Sequence, residues 1–529
     1  MTYDHIIIGS GINALVCGAI LSRHQNILVL EREETVGGTI KTGTLAEGFT
    51  YDPLAMTYLL LLASPAYADL GEELTQRGVA FAKTDAPTGV LTAEGRAAIL
   101  STDRNANIKA FDALEPGEGE RHREEMAYIE ANAEFLFSLL NGQLWSLNTL
   151  KLLLRETIKR KPRGLKSLIG EMLVSNRRRL GGNSRAKELE ALMAPWPLHA
   201  GLDPEQPYSG QIGMTMAFAL EAFGAPISVG GAHKVAQALA DIISANGGTV
   251  RTGADVDEIL EGTDGRPVAG VRLAGGEELD APSVISSTTP TQLYGRLLRH
   301  WTLPEFVAKE TRRYQYGKGN MQIHYALKQP VAWPVEGLQE VQLLHLSDGI
   351  DQVSKASNEA LRGVLPANPT VCVGQPTAAD PSRAPEGQAV LWIQLPQCPI
   401  TLLGDAAGRI DVPEDGRWNE AVREAYADRV EEMIAAHVPG FRDTVIVRKA
   451  LSPADLEAAN INLIGGEPYG GWSGLDQLFT FRPFPQQINH DSFAQGVYQI
   501  GASTHPGSGL GGMSGYMLAQ QLKPRKRWF

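Results

Sequence analysis

Two short, wholly apolar runs, Ile6–Ile8 and Ile27–Leu30, flank a stretch from Asn13 to Leu21 whose small residues suit the packed side of a helix. That pattern predicts buried strand, helix, buried strand. Phe49–Asp52 reads as a further short strand. The rhythm resumes near Ile227 with a helix over Ala232–Asn246, apolar at Val235, Leu239 and Ile242-Ile243. A strand at Thr249–Arg251 follows it. Val256–Leu260 and Val268–Leu273 then pair as a hairpin, and Ser283–Ser286 returns as a buried strand to the first sheet. Near the end, Val497–Ile500 reads as a strand and the chain from about Gly512 as a helix.

From about 85 to 225 this alternation stops. Residues 121–180 read as helical, and Leu165, Leu168, Ile169, Met172 and Leu173 recur at the spacing of an amphipathic helix. Residues 300–480 alternate strands, such as Met321–Leu327 and Ala389–Leu395, with polar loops. Asn419–His437 reads as one amphipathic helix.

The first strand–helix–strand unit carries chemistry. Gly9, Gly11 and Ala14 form a G-x-G-x-x-A turn, and Glu31 ends the second strand. Gly9 allows the tight turn, Gly11 lets backbone approach a pyrophosphate, and Ala14 keeps helix and strand close. The helix N-terminus offers free N–H groups to phosphates, and Glu31 is placed to accept ribose hydroxyls. The triplet alone does not choose between FAD and NAD. A helix, a hairpin and a returning strand after residue 227 are what an FAD-type domain needs to complete itself. Gly37-Gly38 suits a loop lying flat against a cofactor.

With 529 residues the chain calls for two or more domains. The net charge of −12 gives no footprint for nucleic acid. Cys17, Cys372 and Cys398 have no C-x-x-C spacing, so no metal site or redox dithiol is expected. The first strand begins at once, leaving no room for a signal peptide, and Tyr58–Ala63 is too short to span a bilayer. These features lead to the expectation of a cytoplasmic protein. Charge is nevertheless uneven: residues 151–180 hold ten Lys/Arg against two Glu. Basic residues beside an apolar helical face suit peripheral membrane contact.

The motifs GSGINA at 9–14, VGG at 36–38, VGGAHKVAQAL at 229–239 and YQIGASTHPGSGLGG at 498–512 resemble those of the phytoene-desaturase-like flavoproteins. APWPL at 194–198 and SPADL at 452–456 point to the bacterial and mitochondrial oxidoreductase branch, related to carotenoid desaturases and retinol saturase. Thr39 stands where many relatives carry arginine or alanine.

The resemblance implies an α/β fold: a discontinuous Rossmann-type FAD-binding domain (1–85, 226–300, 485–529) with an inserted α+β substrate domain (86–225, 301–484). It implies noncovalent FAD held by Gly9, Gly11, Ile12, Asn13, Ala14, Glu31 and Arg32. Gly37, Gly38 and Thr39 would line the path to the flavin, Val256 the adenine side, and Gly501, Gly511, Gly512 and Met513 the far end. It also implies an oxidoreductase passing a hydride from a lipophilic, isoprenoid or lipid-like substrate to flavin N5, with oxygen, a quinone or a nicotinamide as electron acceptor. His505, in the last glycine-rich loop, is the candidate base; Tyr58, His199 and Trp472 are secondary pocket candidates. A flavin amine oxidase, a flavin-containing non-redox isomerase and a scaffold protein are the competing readings.

Overall fold

The computed structural model describes residues 3–181, 186–263 and 265–524. Five parallel strands form its first sheet in the spatial order 497–499, 284–286, 5–8, 27–30, 249–251. Sequence order therefore reverses between 5–8 and 284–286. At such a switch point the loops leaving adjacent strands diverge and open a crevice beyond their carboxyl ends.

Helices Ile12–Leu21, His233–Ala245 and Met513–Leu522 cover one face through a shared apolar core. The antiparallel strands Val256–Glu261, Val268–Leu273 and Glu278–Asp280 help cover the other. The boundaries follow local chemistry. The apolar runs at 5–8 and 27–30 are buried throughout, as parallel strands covered on both faces must be.

The second sheet has seven strands, in the order 445–451, 319–327, 389–398, 371–374, 343–346, 88–91, 97–100. Its period-two pattern separates two faces. Met321, Ile323, Tyr325, Leu391, Ile393 and Leu395 pack under helix Glu420–His437. Val90, Leu343, Cys372 and Trp392 face the other way, toward the first sheet's ligand side. Arg383 ties the halves together: it is fully buried, bonds Asp52 at 2.7 Å and Asp380 at 3.1 Å, and donates to the Ser228 carbonyl. Those carboxylates in turn accept the N–H groups of Ala232 and Gly230 at the entry to helix 233–245.

The segment read as one helical region over 121–180 is three helices, Glu118–Asn141, Leu147–Met172 and Asn176–Leu180. Lys161, at φ 59°, and Pro162 break the second one, since proline removes a donor and clashes with the preceding turn. The first half of that helix is turned outward. Leu147, Leu150, Leu154 and Ile158 fall within roughly 80° of arc at 3.6 residues per turn and are all exposed, Leu147 at 74% and Ile158 at 81%. Thr149 and Glu156 face the protein instead. No helix among the described residues is long and apolar enough to cross a membrane. The basic C-terminal residues Lys523 to Arg527 read from the sequence as a solvated terminus, and those from 525 on lie outside the described residues.

Candidate active site

A continuous cavity of about 390 Å³ begins at the switch point and runs to the seven-stranded sheet. At its first end Gly9, Gly11, Ile12 and Asn13 line it from the fingerprint turn, and Glu31 and Arg32 from the end of the second strand. The N–H of Leu15 is the first to find an intrahelical partner, the Gly11 carbonyl, leaving the preceding N–H groups at the cavity. A Cβ on Gly11 would meet nothing within 4 Å; it would project into open space in front of the helix terminus. Glu31 Oε2 accepts the Ser10 N–H at 2.9 Å and the Ser10 hydroxyl at 2.5 Å, while Oε1 accepts the Glu33 N–H. The carboxylate is thus held in a fixed orientation at the cavity wall. Val256 borders the same end, its carbonyl accepting Arg296 Nη1 at 2.8 Å.

In the middle, Gly37 bridges Gly11, and Gly38 packs so closely that a Cβ there would lie 3.1 Å from Gly11 Cα. Both adopt positive φ, which glycine alone tolerates readily. Gly38, Thr39 and Gly501 line this section. Opposite them, Asn462 accepts the Thr289 N–H and donates to the Ser287 carbonyl, clamping the loop after strand 284–286. The loop 467–471 is pinned from behind. Glu467 accepts the N–H groups of Tyr469 and Gly471, and Arg482 donates to the carbonyls of Tyr469 and Ala502. Burial pushes the Glu467 carboxyl up to about 7, against the opposing pull of Arg482 and the N–H groups.

The remaining expected residues stand behind this wall. Ala14 and Gly37 are packing positions next to the lining. Gly511 and Gly512 lead into the last helix, which begins at Met513 and rests on helix 12–21: a Cβ on Gly512 would meet Val16 at 2.7 Å, and one on Gly515 would meet the Asn13 carbonyl at 1.8 Å. His505 is buried away from the lining, with Nε2 2.9 Å from the Leu139 carbonyl at the end of helix 118–141. Burial lowers its pKa to about 4, so the ring is neutral and Nε2–H donates to that carbonyl. Tyr58 donates to the Ala232 carbonyl inside the core, and Trp472 is also outside the lining.

At the far end the second sheet supplies the wall. Its register aligns Gln322, Gln394, Cys372 and His345 as cross-strand neighbours on one face, and His199 approaches His345 with the two Nε2 atoms 2.9 Å apart. Trp196, His199, Asn320, Gln322, Trp392 and Gln394 border the cavity. Met56, Leu59, Leu60, Met216, Leu220 and Leu343 supply an apolar lining. The Asp, Glu, Lys and Arg residues that line the cavity are Glu31, Arg32, Glu33, Lys41, Asp255 and Arg296, and the second sheet contributes none of them. Desolvation lowers the His199 pKa to about 4 and holds that of His345 well below its ordinary value, so both are neutral. Ligand atoms of His199, His345 and Cys372 lie within 4.8 Å of one another. However, His345 Nδ1, the atom whose partner would orient a ligating ring, has no partner among the described residues.

A crevice at a switch point, continuous with a cavity over a second sheet, is the architecture of a dinucleotide-binding enzyme. The chain matches the family of flavin containing amine oxidoreductases over residues 15–447 and belongs to it. It is 29% identical to the rat pyridine nucleotide-disulfide oxidoreductase domain-containing protein 2, over 97% of this chain and 92% of that protein. It is 25% identical to the neurosporene-forming phytoene desaturase of Rhodobacter capsulatus, over 98% of this chain and 93% of that one. The fold is shared with an oxidoreductase from Methanosarcina mazei, at a TM-score of 0.61, 17% identity and coverage of 98% and 100%. The protein is an FAD-dependent oxidoreductase of the phytoene-desaturase-like superfamily.

Proposed function

We propose that the protein dehydrogenates a neutral, mostly apolar substrate of isoprenoid or lipid-like kind. One observation carries this reading: the far end of the cavity has an apolar lining and no formal charge, its histidines being held neutral. A substrate ammonium or carboxylate would be desolvated there without a counter-ion, at a cost of several kcal/mol. That disfavours a cationic amine.

In this reading segments 1–85, 226–300 and 485–529 hold the cofactor, and 86–225 with 301–484 build the substrate side. FAD, when bound, supplies the hydride acceptor. The N–H groups at the start of helix 12–21 bind the pyrophosphate, and Gly11 leaves room for it. Glu31 accepts the ribose hydroxyls, with its rotamer fixed by Ser10. The 467–471 loop, held by Glu467 and Arg482, and the 287–289 loop, held by Asn462, keep the cavity walls rigid and exclude water. His505 serves as a strut that fixes the end of helix 118–141.

The outward apolar stripe of helix 147–172, flanked by Lys151, Arg155 and Lys159, lies against an anionic membrane surface. That helix packs on helix Ser209–Phe223, which carries the cavity residues Met216 and Leu220. An apolar substrate could pass this way without crossing bulk water.

The test is anaerobic mixing of holoprotein with a neutral terpene and, separately, with a primary alkylammonium. Flavin bleaching by the terpene alone is expected; bleaching by the amine alone would replace this reading with amine oxidation.

A further inference from the structure

The polar row across the second sheet has no task in a purely hydrocarbon cavity. His199 and His345 share one proton between facing Nε2 atoms. His345 Nδ1 is buried without a partner among the described residues. An unpaired lone pair there is tolerated better than an unpaired N–H, so His345 carries its proton on Nε2 and donates it to His199 Nε2. Neutral His199 then carries its own proton on Nδ1. That makes it a hydrogen-bond donor on a half-buried ring that borders the cavity.

A second donor stands beside it. Trp196, 2% exposed and 4.9 Å from His199 ring to ring, also borders the cavity, and its Nε1–H has no partner among the described residues. Gln322 Oε1, on strand 319–327 of the same sheet, is buried and unpartnered as well, and its amide can present either a donor or an acceptor. An unpaired buried donor costs about 1–3 kcal/mol, so the Trp196 Nε1–H, beside the His199 ring at one cavity wall, marks the place of an acceptor.

We infer that the substrate carries a neutral oxygen, as a carbonyl or hydroxyl, which accepts hydrogen bonds from His199 Nδ1–H and Trp196 Nε1–H at the sheet end of the cavity. This deepens the proposed function and rests on it: the substrate is a terpenoid or lipid-like alcohol, aldehyde or ketone whose apolar remainder lies along Met56, Leu59, Met216 and Leu220. His345 acts one step removed, as the positioning residue that selects the His199 tautomer.

The experiment titrates FAD-loaded protein with three ten-carbon probes of related skeleton, geranial, geraniol and myrcene, and reads Kd from the shift in flavin absorbance. The oxygenated probes should bind about tenfold more tightly than myrcene. In His199→Phe that preference should fall to within about twofold while the myrcene Kd stays put. His199→Asn, which keeps an N–H close to the position of Nδ1, should retain most of the preference. Trp196→Phe tests the second donor independently and should also narrow it. Equal binding of all three probes by the parent, or a preference that survives both His199→Phe and Trp196→Phe, would overturn the inference. Parallel weakening of myrcene and geranial in both variants would reduce the two side chains to packing and overturn it too. No flavin shift with any probe would instead remove the apolar-substrate reading, and this inference with it.

Discussion

Glu467 and His505 show how burial changes what an ionisable side chain does. Glu467 has a folded-state pKa of about 7 against an ordinary 4.5. Between those values the folded protein holds a proton that the unfolded chain has released, so this group's contribution to stability falls as pH rises through the window. Melting profiles of Glu467→Gln and the parent should therefore diverge across that window, with the flatter decline in the variant; parallel profiles would place the proton elsewhere. His505 has the opposite sign. Its pKa is depressed to about 4, so the stability it contributes is complete above 6.5 and is lost as pH falls toward 4. Replacing it with alanine leaves the Leu139 carbonyl unpaired, a loss of about 1–3 kcal/mol. Denaturation should register that loss, while turnover per bound FAD stays near the parent's. A loss of roughly 10²–10⁴-fold in turnover with unchanged stability would return His505 to the role of a base.

At the scale of elements, two glycines on touching helices predict different failures. Gly11 faces open space, so Gly11→Val should fold and lose FAD. Gly515 has the Asn13 carbonyl 1.8 Å from its absent Cβ, so Gly515→Val should separate the two helices and cost the fold itself. Circular dichroism with a flavin assay distinguishes the two; equal behaviour would mean that the Gly11 space is not the pyrophosphate seat. For helix 147–172, vesicles containing anionic lipid should sediment the protein in a salt-sensitive way. Leu150→Ser with Leu154→Ser and Ile158→Ser should abolish that binding without lowering thermal stability, since these side chains touch little. Arg160 is a poor choice for such a test, because it bonds buried Glu156 at 2.7 Å. The apolar spacing read at 165–173 lies in the same helix as the outward stripe at 147–158, but periodicity does not say which face meets the protein.

The whole molecule explains why some of the site could be read from residues in a row and some could not. Strand, glycine turn, helix and Glu31 are contiguous, so the cofactor end was legible, as was the return of 284–286 to the first sheet. The far wall takes Gln322 and Gln394 from a row that continues through Cys372 and His345, whose adjacency depends on registers between distant strands. The alternation of Asn320, Gln322 and His324 with Met321, Ile323 and Tyr325 was the one local hint that a polar face pointed at something. The halves meet at Arg383, with Asp52 and Asp380 both buried. Arg383→Met strands two carboxylates and should cost about 3–5 kcal/mol. A denaturation midpoint near the parent's would mean that the knot is dispensable.

The order of the five parallel strands also has a meaning in time. Four of them, 5–8, 27–30, 249–251 and 284–286, leave the ribosome before half of the second sheet has been made, whereas the fifth, 497–499, comes almost last. Until then strand 284–286 presents an unpaired edge, which invites pairing with another chain. Loop 500–503, a wall of the cavity, is also missing. A nascent chain can therefore begin to grip a dinucleotide by its phosphates long before it can enclose the flavin. Chains stalled near residue 480 should aggregate through that edge, and FAD added during synthesis should protect only those that run on past residue 503.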